Sequence, residues 1–224
     1  MASIALNAAP ASANDGSLQV SQILLGSTLH HSFTLTGSTP VHTDALTKPD
    51  DISQWGDKLF VGFQNGVGPD GSASTDGNLY STVVEFTLSG HVLNQWDVMG
   101  KTDGLTVDPE LGVLTTVNED SMSALYLIRP WAPASSAVTR FNYSGTLPHL
   151  GGTDAISIDH GQILISASAP GTNGAAAPQS TYPAVYSVKL NDATDTATAT
   201  PLFYDEASAT VANQGSTLGT TVGL

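Results

Sequence analysis

The chain has 224 residues, 40% of them hydrophobic and only 12% charged, which is enough apolar material to bury the core of one large all-β domain. Acidic residues outnumber basic ones 20 to 6, leaving a formal charge of -14, and a surface of that sign repels phosphate backbones and anionic lipid, which excludes nucleic acid as a partner. Cysteine is absent, which removes disulfides, thiolate metal sites and cysteine nucleophiles, and no stretch approaches the roughly eighteen apolar residues of a membrane span.

Residues 1–27 read as a flexible N-terminal segment. Ala11-Ser12-Ala13 has the small-residue form of a signal-peptidase site, so the segment is expected to be a signal-peptide remnant. Together with the scarcity of Lys and Arg and the wealth of Ser, Thr, Gly and Ala, this predicts an exported protein, extracellular or periplasmic. His31 to Leu35 alternates as a strand does and is expected to be the outer strand of a preceding or closing unit.

From residue 48 onward a repeat of about fifty residues appears. Pro49-Asp50-Asp51-Ile52-Ser53, Thr102-Asp103-Gly104-Leu105-Thr106 and Thr153-Asp154-Ala155-Ile156-Ser157 align, and each is followed by a glycine turn and a second apolar strand. Two more strands follow each pair. They are expected at 82–86 and 92–96, at 124–128 and 138–141, and at 184–188 and 198–203, with turns such as Leu88-Ser89-Gly90-His91 between them. No window shows a helical period with caps.

The predicted fold is therefore all-β, made of β-propeller blades of four antiparallel strands in a partial or small propeller. The blades fall at about 48–97, 98–148 and 149–204, with the remainder of 28–224 partial. Three blades and two partial pieces make either a ring whose fourth blade is assembled from both termini or a fragment of a longer propeller, and the fragment is the expectation.

In such a blade the start of strand one and the loop joining strands two and three share one end. The informative polar residues gather there: Asp50, Asp51, Asp103 and Asp154 at the strand starts, and Gln64-Asn65, Asn118-Glu119-Asp120 and Ser168 in the loops. His149 approaches the same mouth and is the one histidine placed to act as a base or ligand if the chain is an enzyme, with an ordinary loop position as the other reading; the other five form no metal-ligand pair. A ring of carboxylates around a channel suits a hard cation, calcium or another divalent ion, with Asp50, Asp103, Asp154, Asn118 and Glu119 as candidate ligands. The same aspartates also suit a structural role, accepting hydrogen bonds from backbone amides of their own turns. The long loops 64–81 and 167–183 lie over this end, where specificity for a small molecule or protein partner is expected. Asp70 and Asp76 do not have EF-hand spacing, and no Gly-x-Ser-x-Gly elbow is present.

Thr102-Asp103-Gly104-Leu105-Thr106-Val107-Asp108 with Gly112 resembles the Asp-Gly-hydrophobic pattern of NHL-type repeats and of gluconolactonase or regucalcin-like propellers, a likeness covering roughly Lys48 to Phe203. In the gluconolactonase-like group the resemblance implies that Asp103 is a metal ligand and base. The NHL-type likeness implies a binding module without catalysis. The expected function is accordingly an exported binding or interaction module, with a metal-dependent lactonase-type hydrolase using Asp103 and His149 as the alternative. Whether the chain is an enzyme is left open by its sequence.

Overall fold

The computed structural model describes residues 26–35, 41–119, 122–144, 152–168 and 183–204. The leader reading of residues 1–25, the tail 205–224, His149, Asp120 and most of the second long loop lie outside the described residues.

The described chain is all-β apart from two single-turn 3-10 helices, Gly26–Thr28 and Ala134–Ser136. Strand β1 (His30–Thr34) pairs antiparallel with β2 (Val41–Ala45) as a separate hairpin. The four strands β3 (Pro49–Trp55), β4 (Lys58–Phe63), β5 (Tyr80–Thr87) and β6 (Val92–Met99) form an antiparallel sheet in chain order. The remaining strands are β7 (Thr102–Asp108), β8 (Gly112–Val117), β9 (Ala124–Ile128) and β10 (Val138–Ser144), then β11 (Thr153–Asp159), β12 (Gln162–Ala167), β13 (Pro183–Asn191) and β14 (Thr196–Tyr204). They make two further four-stranded meanders joined into one eight-stranded sheet of order β11-β12-β13-β14-β10-β9-β8-β7.

The join is a short parallel pairing of β10 with β14, Asn142 opposite Thr196 through Ser144 opposite Thr198. At the other end of the order β7 and β11 lie against each other, so the sheet is nearly closed and barrel-like. Nothing in local periodicity anticipates this link, because a parallel pair joins segments far apart in the chain. Nor was β2 anticipated: Val-His-Thr-Asp-Ala has one strongly apolar residue, and it is a strand because β1 supplies a partner. The strand expected over 31–35 is present as β1, whose ladder partner among the described residues is β2, and Gln95 of β6 donates a side-chain hydrogen bond to the His30 carbonyl at 2.9 Å.

Two cores hold the sheets together. Phe60, Val83 and Val98 of the first sheet pack on Leu105, Val113, Val117 and Tyr126 of the next meander. The opposite face of that meander presents Leu114, Leu125 and Phe141 to Ile156, Ile163, Ile165 and Tyr186. Successive residues of a strand point to opposite faces, so β8 and β9, buried along their whole length, are covered on both sides. In contrast, β12 alternates between buried and partly exposed positions, with one face toward solvent. A third, smaller cluster of Leu46, Phe63, Val84 and Phe86 lies on the far face of the first sheet, with Leu29 against it.

Each first strand begins with a break in register: between Pro49 and Ile52, between Thr102 and Leu105, and between Thr153 and Ile156. These bulges fall on the repeated aspartates and the residues that follow them. A bulge leaves an amide without its ladder partner, and hydroxyls from the adjoining strand satisfy two of them. Gly104 N donates to Thr116 Oγ1 at 3.0 Å and Ala155 N to Ser166 Oγ at 3.0 Å. Thr116 Oγ1 in turn donates to the Asp154 carbonyl at 2.5 Å, so one hydroxyl bridges β7, β8 and β11. Between β3 and β7 the bridge is a carboxylate: Asp51 accepts from Ile52 N and, across the sheets, from Leu105 N, both at 2.7 Å.

The approach of β7 to β11 leaves no room for a side chain at Gly104. A Cβ there would stand 2.6 Å from the Asp154 carbonyl oxygen and 2.7 Å from Ile156 N, both backbone atoms. Gly104→Ala must therefore force the strands apart and is expected to lower stability by about 2 kcal/mol or more. Thr116→Val, which keeps the shape and strips the bridge, is expected to cost about 1–2 kcal/mol. Urea unfolding followed by circular dichroism measures both, and an unshifted midpoint for Gly104→Ala would disprove the close approach.

Candidate functional site

The bulged strand starts and the exits of the second strands meet at one end of the sheets, and the chain's polar residues converge there around Lys101. This lysine lies in the two-residue connection between β6 and β7 and is held through its backbone. Lys101 N donates to Asn118 Oδ1 at 2.9 Å, and Asn118 N donates back to the Lys101 carbonyl at 2.8 Å. Asn118 can make this reciprocal latch because it leaves β8 in the left-handed region, φ 67°, which asparagine tolerates better than most residues. The first sheet repeats the device: Asn65, φ 51°, bonds in both directions with the backbone of Thr47 at 3.0 and 3.1 Å.

From that anchor the Lys101 side chain runs between two carboxylates. Its Nζ lies 2.9 Å from Asp103 Oδ1 and also contacts Glu119 Oε1. The lysine side chain is 14% exposed and that of Asp103 only 5%, so the pair is largely out of water. One oxygen each from Asp103, Glu119 and Asp154 lies within 4.8 Å of the others. Ser168 Oγ donates to the Glu119 carbonyl, tying the β12 exit to the same corner.

The electrostatics follow from burial with too little compensating charge. Burial pushes the Asp103 carboxyl up to about 6; Lys101 opposes the shift, while Glu119 and Asp50 add to it. Asp50 is also raised, first by burial and then by Asp51 and Asp154, against the pull of Lys101 and a hydrogen bond from Gln64. Burial pulls the Lys101 ammonium down, but bonds and charge from Glu119 and Asp103 outweigh it and leave the group raised. One atom remains unanswered: Asp103 Oδ2 is buried without a hydrogen-bond partner.

Of the five candidate ligands, the structure brings Asp103, Glu119 and Asp154 together, with Asp50 beside them. Asn118 is not oriented as a ligand. Both its amide atoms are engaged by the backbone, Oδ1 by Lys101 N and Nδ2 by the Met122 carbonyl at 3.2 Å. Of the strand-start aspartates, Asp51 accepts from backbone amides, and turn residues such as Asp108 do the same, Asp108 accepting from Glu110 N and Leu111 N at 2.9 and 2.8 Å. The loop between β4 and β5 is a series of tight turns, with Asp70 bonded to Ser72 N and Asp76 to the Ser74 hydroxyl and also to the Asp44 carboxyl of β2. Gly71 of this loop packs against the Asn118 amide and brings the loop over the mouth.

Lys101 is the site residue that sequence reading missed. Its signal is present but faint: one of very few cations in an acidic chain, two residues ahead of a repeated aspartate. Among the other histidines, His31 is buried, stacks on Phe33 at 5.4 Å, which stacks in turn on His42 at 5.5 Å, and places Nδ1 3.7 Å from Asp97 Oδ1.

No family model matches the chain, and no curated protein matches it. Among solved structures it is similar to a luciferin-regenerating enzyme, with 11% identity and a TM-score of 0.38 over 74% of this chain and 50% of that one. It is also similar to a variant of the apocarotenoid oxygenase of Synechocystis, with 14% identity and a TM-score of 0.33 over 67% and 47%. The chain thus spans about half the length of the structures it matches, and overlaps this weak carry no functional argument. No helix among the described residues is long and apolar enough to cross a membrane.

Asp103 generates a pH prediction. Its folded pKa lies above the unfolded value, so its contribution to stability is fully present below about pH 4 and is lost as pH rises through about 6. The wild type should therefore melt lower at neutral pH than at pH 5 on account of this group. In Asp103→Asn that difference should shrink by a few degrees, on the order of 3 °C, in calorimetric scans at the two pH values. An identical pH dependence in wild type and variant would remove Asp103 as its source.

Proposed function

We propose that the chain is a run of propeller-type blades from an exported binding module, whose mouth binds a divalent cation such as calcium between Asp103, Glu119 and Asp154. The blade reading is supported by the three four-stranded antiparallel meanders, the shared bulge at each first strand and the lateral packing of β3 on β7 and β7 on β11. The cation reading is carried by one observation: three carboxylates from three different strands or strand ends converge within 4.8 Å, and the most buried of them keeps an unanswered oxygen. Hard oxygen donors of this kind suit calcium, and the single charge of Lys101 offsets only part of the repulsion among three carboxylates clustered this closely. A small-molecule or protein partner would then meet the cation at the end overlaid by the loop between β4 and β5.

The alternative, a lactonase-type hydrolase, is favoured by one property, the raised Asp103 carboxyl. A carboxylate that titrates near neutrality suits proton transfer, and a bound cation would supply polarisation of an ester carbonyl. His149, its expected second base, lies outside the described residues.

Melting scans of dialysed protein with and without millimolar calcium test the cation reading. Calcium should raise the wild-type melting temperature by a few degrees and leave Asp103→Ala unmoved, with circular dichroism showing the variant folded. No shift in the wild type would end the calcium proposal. A shift accompanied by turnover of simple lactones, lost in Asp103→Asn, would move the reading to the hydrolase.

A further inference from the structure

We infer that Lys101 is a built-in counter-ion for the carboxylate mouth, so that its ammonium and a divalent cation compete for the same carboxylates and the lysine must swing out before the cation is bound. This rests on the cation reading above and adds a regulator to it. The acidic cluster does not stand alone. Asp103 has a side chain 95% buried, and its Oδ2 lacks any partner while its Oδ1 is taken by the lysine. Half of the carboxylate is thus satisfied by a monovalent charge and half by nothing.

Geometry makes the two cations exclusive. Lys101 Nζ bonds Asp103 Oδ1 and contacts Glu119 Oε1, two residues of the triad whose oxygens lie within 4.8 Å of one another. Nζ pairs with two of the three carboxylates and not with Asp154, so a metal ion bound through all three would lie beside the ammonium, and two cations that close repel strongly in a partly buried site. The lysine is also preset for this role. The two hydrogen bonds with Asn118 fix its backbone at the mouth, while its flexible four-carbon stem leaves the head free to move. Asp154 is exposed and the Glu119 side chain is 34% exposed, so the triad opens to solvent on their side, where the ammonium would leave. The consequence is a weak site that fills only when cation is plentiful, closer to the roughly 10⁻⁴–10⁻³ M of extracellular calcium modules than to a tight intracellular one.

The test is a calorimetric titration of the full chain with calcium chloride at low ionic strength, comparing wild type, Lys101→Met and Lys101→Arg. Lys101→Met should bind calcium about tenfold or more tightly than the wild type, and Lys101→Arg, which keeps the charge, no more tightly than the wild type. A second measurement needs no variant. The chain has four lysines, Lys48, Lys58, Lys101 and Lys189, so reductive 13C-methylation gives few dimethylamine signals, and calcium should move the Lys101 signal alone. Binding by Lys101→Met with a silent wild type upholds the counter-ion and defeats the proposed wild-type calcium site. Wild-type binding that Lys101→Met does not strengthen, with an unmoved Lys101 signal, overturns the counter-ion and leaves the calcium site standing. Silence in all three proteins overturns both.

Discussion

The sheets of this protein depend on how the bulged starts of their first strands are satisfied. Each bulge withdraws an amide from the ladder; that of Gly104 is buried, where a missing partner would cost about 1–3 kcal/mol, while those of Ile52 and Ala155 are exposed. Here those amides are answered by short side chains, the hydroxyls of Thr116 and Ser166 and the carboxylate of Asp51. Two of these groups do more than fill a gap. Thr116 also donates to the Asp154 carbonyl, and Asp51 also accepts from Leu105 N, so the groups that repair one strand fasten it to the next sheet. Gly104 then permits β7 and β11 to approach to backbone contact. Apolar burial between the sheets supplies most of the driving force, but it is non-directional, and these few polar bonds decide the register in which the sheets meet.

The same construction creates the charged mouth. Because an acidic residue stands at each bulge, bringing three first strands side by side also brings Asp50, Asp103 and Asp154 to one end. Glu119 joins them from the exit of β8. The fold therefore gathers like charges as a by-product of a backbone requirement, and the cost appears in the raised carboxyls of Asp50 and Asp103. Lys101 offsets part of that cost. Its position is not incidental to the scaffold, since Asn118 holds its backbone with the latch that Asn65 applies to Thr47 one sheet earlier. A repeated structural device has a charged residue in one copy and a neutral one in the other, and only the copy beside Asp103 carries the cation.

Chain order alone revealed the all-β class and the positions of most strands, because alternation, β-branched runs and glycine turns are local signals. The segment 124–128 was predicted at its observed limits, and most other strands proved longer at their ends, where hydrogen bonding to a neighbour extends the ladder beyond the apolar pattern. The recurrence of Asp50, Asp103 and Asp154 was likewise visible, and so was the end of the sheets they would share. What the recurrence does not reveal is the duty of each carboxylate. Asp51 and Asp103 look alike in sequence, yet the first bonds to two backbone amides and the second to a lysine. Which one becomes structural depends on what the adjoining sheet offers at that height.

Three features were decided by the tertiary structure. The β10–β14 pairing that joins two meanders into one sheet arises from strands more than fifty residues apart whose edges happen to align. Strand β2 exists only against β1. Lys101 became a member of the site because the β6–β7 connection is short and Asn118 pins it beside two acids. In each case the missing information was a distance between remote segments, and such distances are set by packing. The sequence by itself determined the strand-forming pattern and the acidic balance, both of which follow from local propensity and composition. Which carboxylates face one another, and that a lysine lies between two of them, follows only once the sheets are packed.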